Sequence, residues 1–155
     1  MLLCVQSVSA EPTSDLDRRT ARELGREALV ALSAGDYATA EERLDRALSL
    51  HVAPTLHLAR ARAREGLGKL LSAAEDYRAV LRFTDAPEQP KSFAQARLDA
   101  RTELDRLEPK LPYLTLLPQG APRRVTVNGT EWPAAALGIA RPLDPGTYAI
   151  EVTSA

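Results

Sequence analysis

The chain has 155 residues, 45% of them hydrophobic and 26% charged, enough apolar content for one ordinary folded domain or two small ones. Its 20 Lys and Arg nearly balance 21 Asp and Glu, so the basic excess expected of a general nucleic-acid binder is missing. A single cysteine excludes an internal disulfide framework and a Cys-based zinc site, and no run of 18 apolar residues offers a membrane-spanning helix.

At the amino end, Leu2-Leu3-Cys4-Val5 is followed by Ser7-Val8-Ser9-Ala10, a small-x-small pattern suited to signal-peptide cleavage. No positive charge precedes it and the apolar run is short. Residues 1–13 therefore read as the tail of a longer leader whose start lies upstream, with a frayed terminus as the alternative and lipid attachment at Cys4 as a third reading.

The 11 prolines are unevenly placed: none in 13–53, 55–86 or 91–108, and seven between 109 and 145. Proline lacks the N–H a helix needs, so the spacing predicts a helical part over 14–110 and a non-helical part over 111–155. Helix one is expected over 14–34, with Ser14 as cap, Asp17 completing a capping box, and Leu24, Ala28, Ala31 and Leu32 recurring at helical spacing. Gly35 ends it and Asp36 caps helix two, 37–50, which carries Tyr37, Ala40, Leu44, Ala47 and Leu48. Pro54 opens helix three, which Gly66 and Gly68 stop near residue 67. Helix four spans 70–83 with Ala73, Ala74, Tyr77, Val80 and Leu81 inward. After Pro87 and Pro90, helix five runs over 91–108 with Phe93, Ala96, Ala100, Leu104 and Leu107 on one stripe.

The segment starting at Gly35-Asp36-Tyr37 aligns with that starting at Gly68 at an offset of 33, bringing Ala40 onto Ala73, Leu44 onto Tyr77 and Ala47-Leu48 onto Val80-Leu81. A glycine for the turn, small residues for close helix approach and a larger one to fill the gap form a packing pattern. This resembles the tetratricopeptide repeat. The second copy departs from it where Arg60, Arg62 and Arg64 replace apolar positions. The resemblance implies a concave groove lined by the first helix of each pair, here at Arg22, Leu29, Leu32 and Ser33, with helix five as the cap that stacked repeats need.

From Leu114 the period changes to two. Leu114 and Leu116, Val125 and Val127, and Tyr148, Ile150 and Val152 alternate with Thr115, Thr126, Ala149 and Glu151. Asn128-Gly129 predicts a tight hairpin and Asp144-Pro145-Gly146 a turn into the last strand. Four short antiparallel strands are expected, with a loop or short helical turn at 134–140 and Trp132 buried. Pro118-Gln119-Gly120-Ala121, Val125 to Gly129 and Leu143 to Gly146, in that order, resemble the PEGA domain, with Gln119 and Asn128 in place of its Glu and Asp. That family continues into a further strand, which the resemblance places beyond Ala155.

No phosphate loop, nucleophile elbow or zinc helix is present, and His51 and His57 have no common metal spacing. Carboxylates one turn apart, Glu41/Asp45 and Asp99/Glu103, are interleaved with arginine and read as solvated ion-pair faces rather than acid–base pairs. Arg60 and Arg64 share a helix face with Arg62 beside them; this is either a site for an acidic peptide or a solvated face partly neutralised by Glu65. The chain thus reads as mainly α: a tetratricopeptide-like array of about five helices followed by a small antiparallel β-sandwich-like module. The expected function is non-enzymatic, without cofactor or metal: a bacterial cell-envelope scaffold holding a protein or peptide partner in its groove. The β module is a candidate for contact with a surface or glycan. The alternative is a cytoplasmic regulatory or sensor subunit of a larger signalling assembly.

Overall fold

The computed structural model describes residues 14–84, 86–120 and 124–153. The leader, the cleavage pattern and Cys4 lie outside the described residues. Five α-helices come first: α1 (Asp15–Ser33), α2 (Tyr37–Leu50), α3 (Pro54–Gly66), α4 (Leu70–Leu81) and α5 (Lys91–Leu107). Five short strands follow: β1 (Tyr113–Leu114), β2 (Arg124–Val127), β3 (Thr130–Glu131), β4 (Arg141–Pro142) and β5 (Ile150–Thr153). The chain is mainly helical with a small antiparallel sheet region, as the proline spacing predicts.

Local chemistry accounts for the helix ends. Ser14 Oγ accepts from the Asp17 N–H at 3.0 Å while the Asp17 carboxylate accepts from the Ser14 N–H, a complete capping box. Asp36 accepts from the Thr39 N–H at 3.1 Å and starts α2. Gly35 and Gly68 take φ of 75° and 73°, where a side chain would be strained, and each turn closes with the same bonds. Asp36 N–H donates to Ala31 O and Lys69 N–H to Arg64 O, both at 2.9 Å. Helix α4 stops at Leu81, two residues before the position the apolar pattern predicts.

The helices pack in chain order. Leu44 and Ala28 meet Ala59 between α1, α2 and α3, and Ala21 and Leu24 meet Ala47 beside them. The larger core lies between α3, α4 and α5, where the fully buried Tyr77 is surrounded by Ala61, Ala73, Val80, Ala100 and Leu107. Leu111, just past a 3-10 turn at Glu108–Lys110, is buried in this same core and ties the exit segment down.

The strands form two sheets: β1 with β4, and β3-β2-β5, all antiparallel. Strand β4 was not among the four expected: a strand of two residues, one of them Pro142, carries no periodic signal. The first strand is confined to Tyr113–Leu114 and does not reach Leu116, and the last starts at Ile150 rather than Tyr148. The Asn128-Gly129 hairpin forms as expected, both residues at positive φ and Val127 opposite Thr130. A 3-10 turn at Ala134–Ala136 occupies the expected helical-turn position. Val125, Val127 and Trp132 make the small core, Trp132 only 8% exposed with its indole N–H donating to Ala136 O at 3.3 Å.

Candidate binding groove

Helices α1, α3 and α5 share one side of the array, and two open cavities lie along it, of about 580 Å³ and 380 Å³. The larger is bounded by Leu29, Leu32 and Ser33 of α1, Arg62 of α3 and Glu103 and Arg106 of α5. The smaller lies toward the starts of the same helices, with Arg22 and Leu29 of α1, Leu56 of α3 and Phe93 of α5. Leu29 belongs to both, so the two run into one groove. Amphipathic periodicity places these side chains: Ala21, Leu24 and Ala28 turn α1 inward, and Arg22 and Leu29 flank that stripe. Gly25 lets α1 approach α3, since a Cβ there would sit 2.9 Å from Leu56 Cδ2.

Paired charges crosslink the groove floor. The Arg62 guanidinium donates to both oxygens of Glu103 and, at 3.1 Å, to Asp99, joining α3 to α5. Arg106 pairs with Glu65 across the same two helices. Between these pairs the buried Tyr77 hydroxyl donates to Glu103 at 2.7 Å, with Glu65 3.1 Å away. Burial and the two adjacent carboxylates push the phenol well above its ordinary pKa, so it remains a neutral donor. Arg22 has no ion-pair or hydrogen-bond partner among the described residues, which leaves an open cation at the groove's α1 end.

The structure therefore brings Arg22, Leu29, Leu32, Ser33 and Arg62 to one surface and places Arg60 and Arg64 elsewhere. Both point toward α2 and α4 and are occupied from within the chain. Arg60 donates through Nε and Nη2 to the two oxygens of Asp76, at 2.9 and 2.7 Å, and through Nη1 to Asp45 at 2.6 Å. Arg64 donates to Asp76 at 2.9 Å and to Glu41 at 3.0 Å. Arg62, two residues from each, faces away from them. Glu65 does not neutralise Arg60 or Arg64, because it pairs with Arg106.

Asp76 is 3% exposed and accepts four hydrogen bonds, from Arg60 twice, Arg64 once and His57 Nδ1 at 2.9 Å. Four donors fill the acceptor sites of one carboxylate. Burial pushes its carboxyl up, but the bonds from His57 and Arg60 and the charges of Arg60 and Arg64 outweigh that and hold it below the usual carboxylate value. Likewise Glu41 is pushed up by burial and brought down further by Lys69 and Arg64. The carboxylate pairs Glu41/Asp45 and Asp99/Glu103 are thus long-range crosslinks rather than local solvated pairs. Glu42 and Arg46 do make the local pair, at 3.6 Å. A sequence signal for this existed: two carboxylates four apart on each of α2 and α5 face the arginines of α3.

Among the described residues no group of three His, Cys, Asp or Glu is arranged to hold a metal, and no helix is long and apolar enough to cross a membrane. No protein-family model, curated protein or solved structure matches the chain.

Proposed function

We propose that the protein is a non-enzymatic scaffold of the bacterial cell envelope that holds a peptide or protein segment along the α1–α3–α5 groove. The carrying observation is that Leu29, Leu32, Leu56 and Phe93, contributed by three separate helices, line one open groove beside Arg22, which is unpaired among the described residues. Leu29 is 55% exposed, an apolar side chain with no burial of its own to explain it. Ion pairs from Arg62 and Arg106 crosslink the groove floor, and a preorganised floor lowers the entropic cost of holding a partner.

The tetratricopeptide-like reading is supported by equivalent hairpins: left-handed glycine turns 33 residues apart, and buried Ala40 and Ala73, Leu44 and Tyr77, Ala47 and Val80 at the same offset. The PEGA-like reading, a small sandwich, is supported by a two-stranded and a three-stranded antiparallel sheet, by Leu114 packing against the Val125, Val127 and Trp132 cluster, and by the Asn-Gly hairpin. The envelope location rests on the cleavage pattern ending at Ala10.

The test is capture from envelope and cytosolic extracts by the wild-type chain and by the Leu29→Glu, Leu32→Glu variant. The proposal expects a partner from the envelope fraction that the variant loses while its helical circular dichroism stays unchanged. Capture untouched by the variant would remove the groove from the account. Groove-dependent capture from cytosol alone would favour the regulatory-subunit reading.

A further inference from the structure

The inner face of the three-stranded sheet is covered over β2 and open over β5. Val125 and Val127, buried against Trp132, stand opposite Val152 and Ile150 in register, so these four side chains share a face. Yet Val152 is 58% and Ile150 44% exposed. An apolar cavity of about 390 Å³ continues that face beside the strand, lined by Tyr113, Leu114, Leu143, Tyr148 and Ile150.

The ladder is also open at that edge. Trp132 N–H donates to Val125 O on one side of β2, and Asn128 N–H to Ala149 O on the other. Hydrogen-bonded and non-hydrogen-bonded pairs alternate along an antiparallel ladder, so Glu151 and Thr153 face β2 and Ile150 and Val152 turn their backbone groups outward. No described strand takes them up. Edges with free backbone groups and an uncovered apolar face are templates for strand addition.

Charge selects the occupant. The Glu151 carboxylate points to the outer face, where Thr126 Oγ1 at 3.4 Å is its hydrogen-bond partner and, among the described residues, no cation pairs with it. A second copy pairing antiparallel with Ile150 opposite Val152 would set Glu151 against Glu151, which like charges oppose. We propose that β5 is a docking edge for an extended segment of another protein, in which apolar β-branched residues flank a lysine or arginine. Its apolar side chains cover Ile150 and Val152 and enter the cavity, its backbone bonds the outward groups, and its cation meets Glu151. This site is separate from the helical groove, and its failure would leave the groove untouched.

The probe is acetyl-Ser-Thr-Val-Lys-Val-Thr-Ser-amide, titrated to millimolar concentration into the full chain labelled with nitrogen-15. The amide signals of Ile150 and Val152 should shift and exchange more slowly with solvent. The peptide with Glu for Lys should bind on the order of fivefold more weakly, the scale of reversing one cross-strand charge pair. In Glu151→Lys that preference should invert, and Val152→Pro, which removes an outward N–H without breaking a bond to β2, should abolish binding. Unmoved Ile150 and Val152 signals, or a preference that ignores residue 151, would overturn the proposal. Concentration-dependent shifts of these signals without peptide would overturn it in favour of a second copy.

Discussion

The two helical hairpins differ in where their stabilising groups come from. In α1–α2 the caps are local: Ser14 and Asp17 start one helix and Asp36 the other, each within three residues of its partner. In α3–α4 the position equivalent to Asp36 is Lys69, which makes no side-chain cap. The N–H of Leu71, in the first turn of α4, donates instead to Asp144 Oδ1 at 2.7 Å, 73 residues away at the edge of the β module. Charge follows the same division. The described ion pairs within α1 and α2 are mostly exposed, whereas α3 carries Arg60, Arg62 and Arg64, satisfied by carboxylates from α2, α4 and α5. The first hairpin starts both of its helices from its own residues. The second is held by the rest of the molecule, and it is also the wall between the groove and the β module.

The largest expected effect breaks that second hairpin at its centre. Asp76→Ala leaves Arg60, Arg64 and His57 converging without their carboxylate and should cost about 3–5 kcal/mol in urea unfolding. The same group predicts a pH dependence. Its folded-state carboxyl lies below the unfolded value, so its contribution is present above about pH 4 and is lost as pH falls through the folded value. Stability of the wild type should therefore decline on acidification more steeply than that of Asp76→Ala. A smaller effect sharpens the likeness of the hairpins: Ala40→Leu and Ala73→Leu each overpack a fully buried small site and should cost about 1–3 kcal/mol in thermal unfolding. A cost at one site alone would mean the two helix pairs are not packed alike.

Most of the helical fold was legible because its signals are local. Ser14, Gly35, Asp36, Pro54 and Gly68 act within a turn of themselves, and Ala40 and Leu44 in α2, like Ala73 and Tyr77 in α4, recur at helical spacing. The tetratricopeptide resemblance implied groove-facing positions for Leu29, Leu32 and Ser33, and these side chains line an open cavity. The intrachain partners of Arg60 and Arg64 were not legible, because a helix face shows which residues align, not which group lies across from them; Asp76 is 16 and 12 positions away. The partners of Arg62 were hidden for the same reason, since Asp99 and Glu103 lie a whole helical hairpin downstream. Strand β4 and the capping role of Asp144 depend on tertiary closure and leave no periodic trace.

Asp144→Ala measured in two backgrounds tests most directly whether the second hairpin is completed from the β module. In the otherwise wild-type chain, removing this cap should cost about 0.5–2 kcal/mol in urea unfolding. With Lys69→Asp, which recreates at α4 the Gly-Asp start of α2, the same substitution should cost much less, because a local carboxylate then holds the helix end. An equal loss in both backgrounds would contradict the account, and would mean that Asp144 acts on the β module alone.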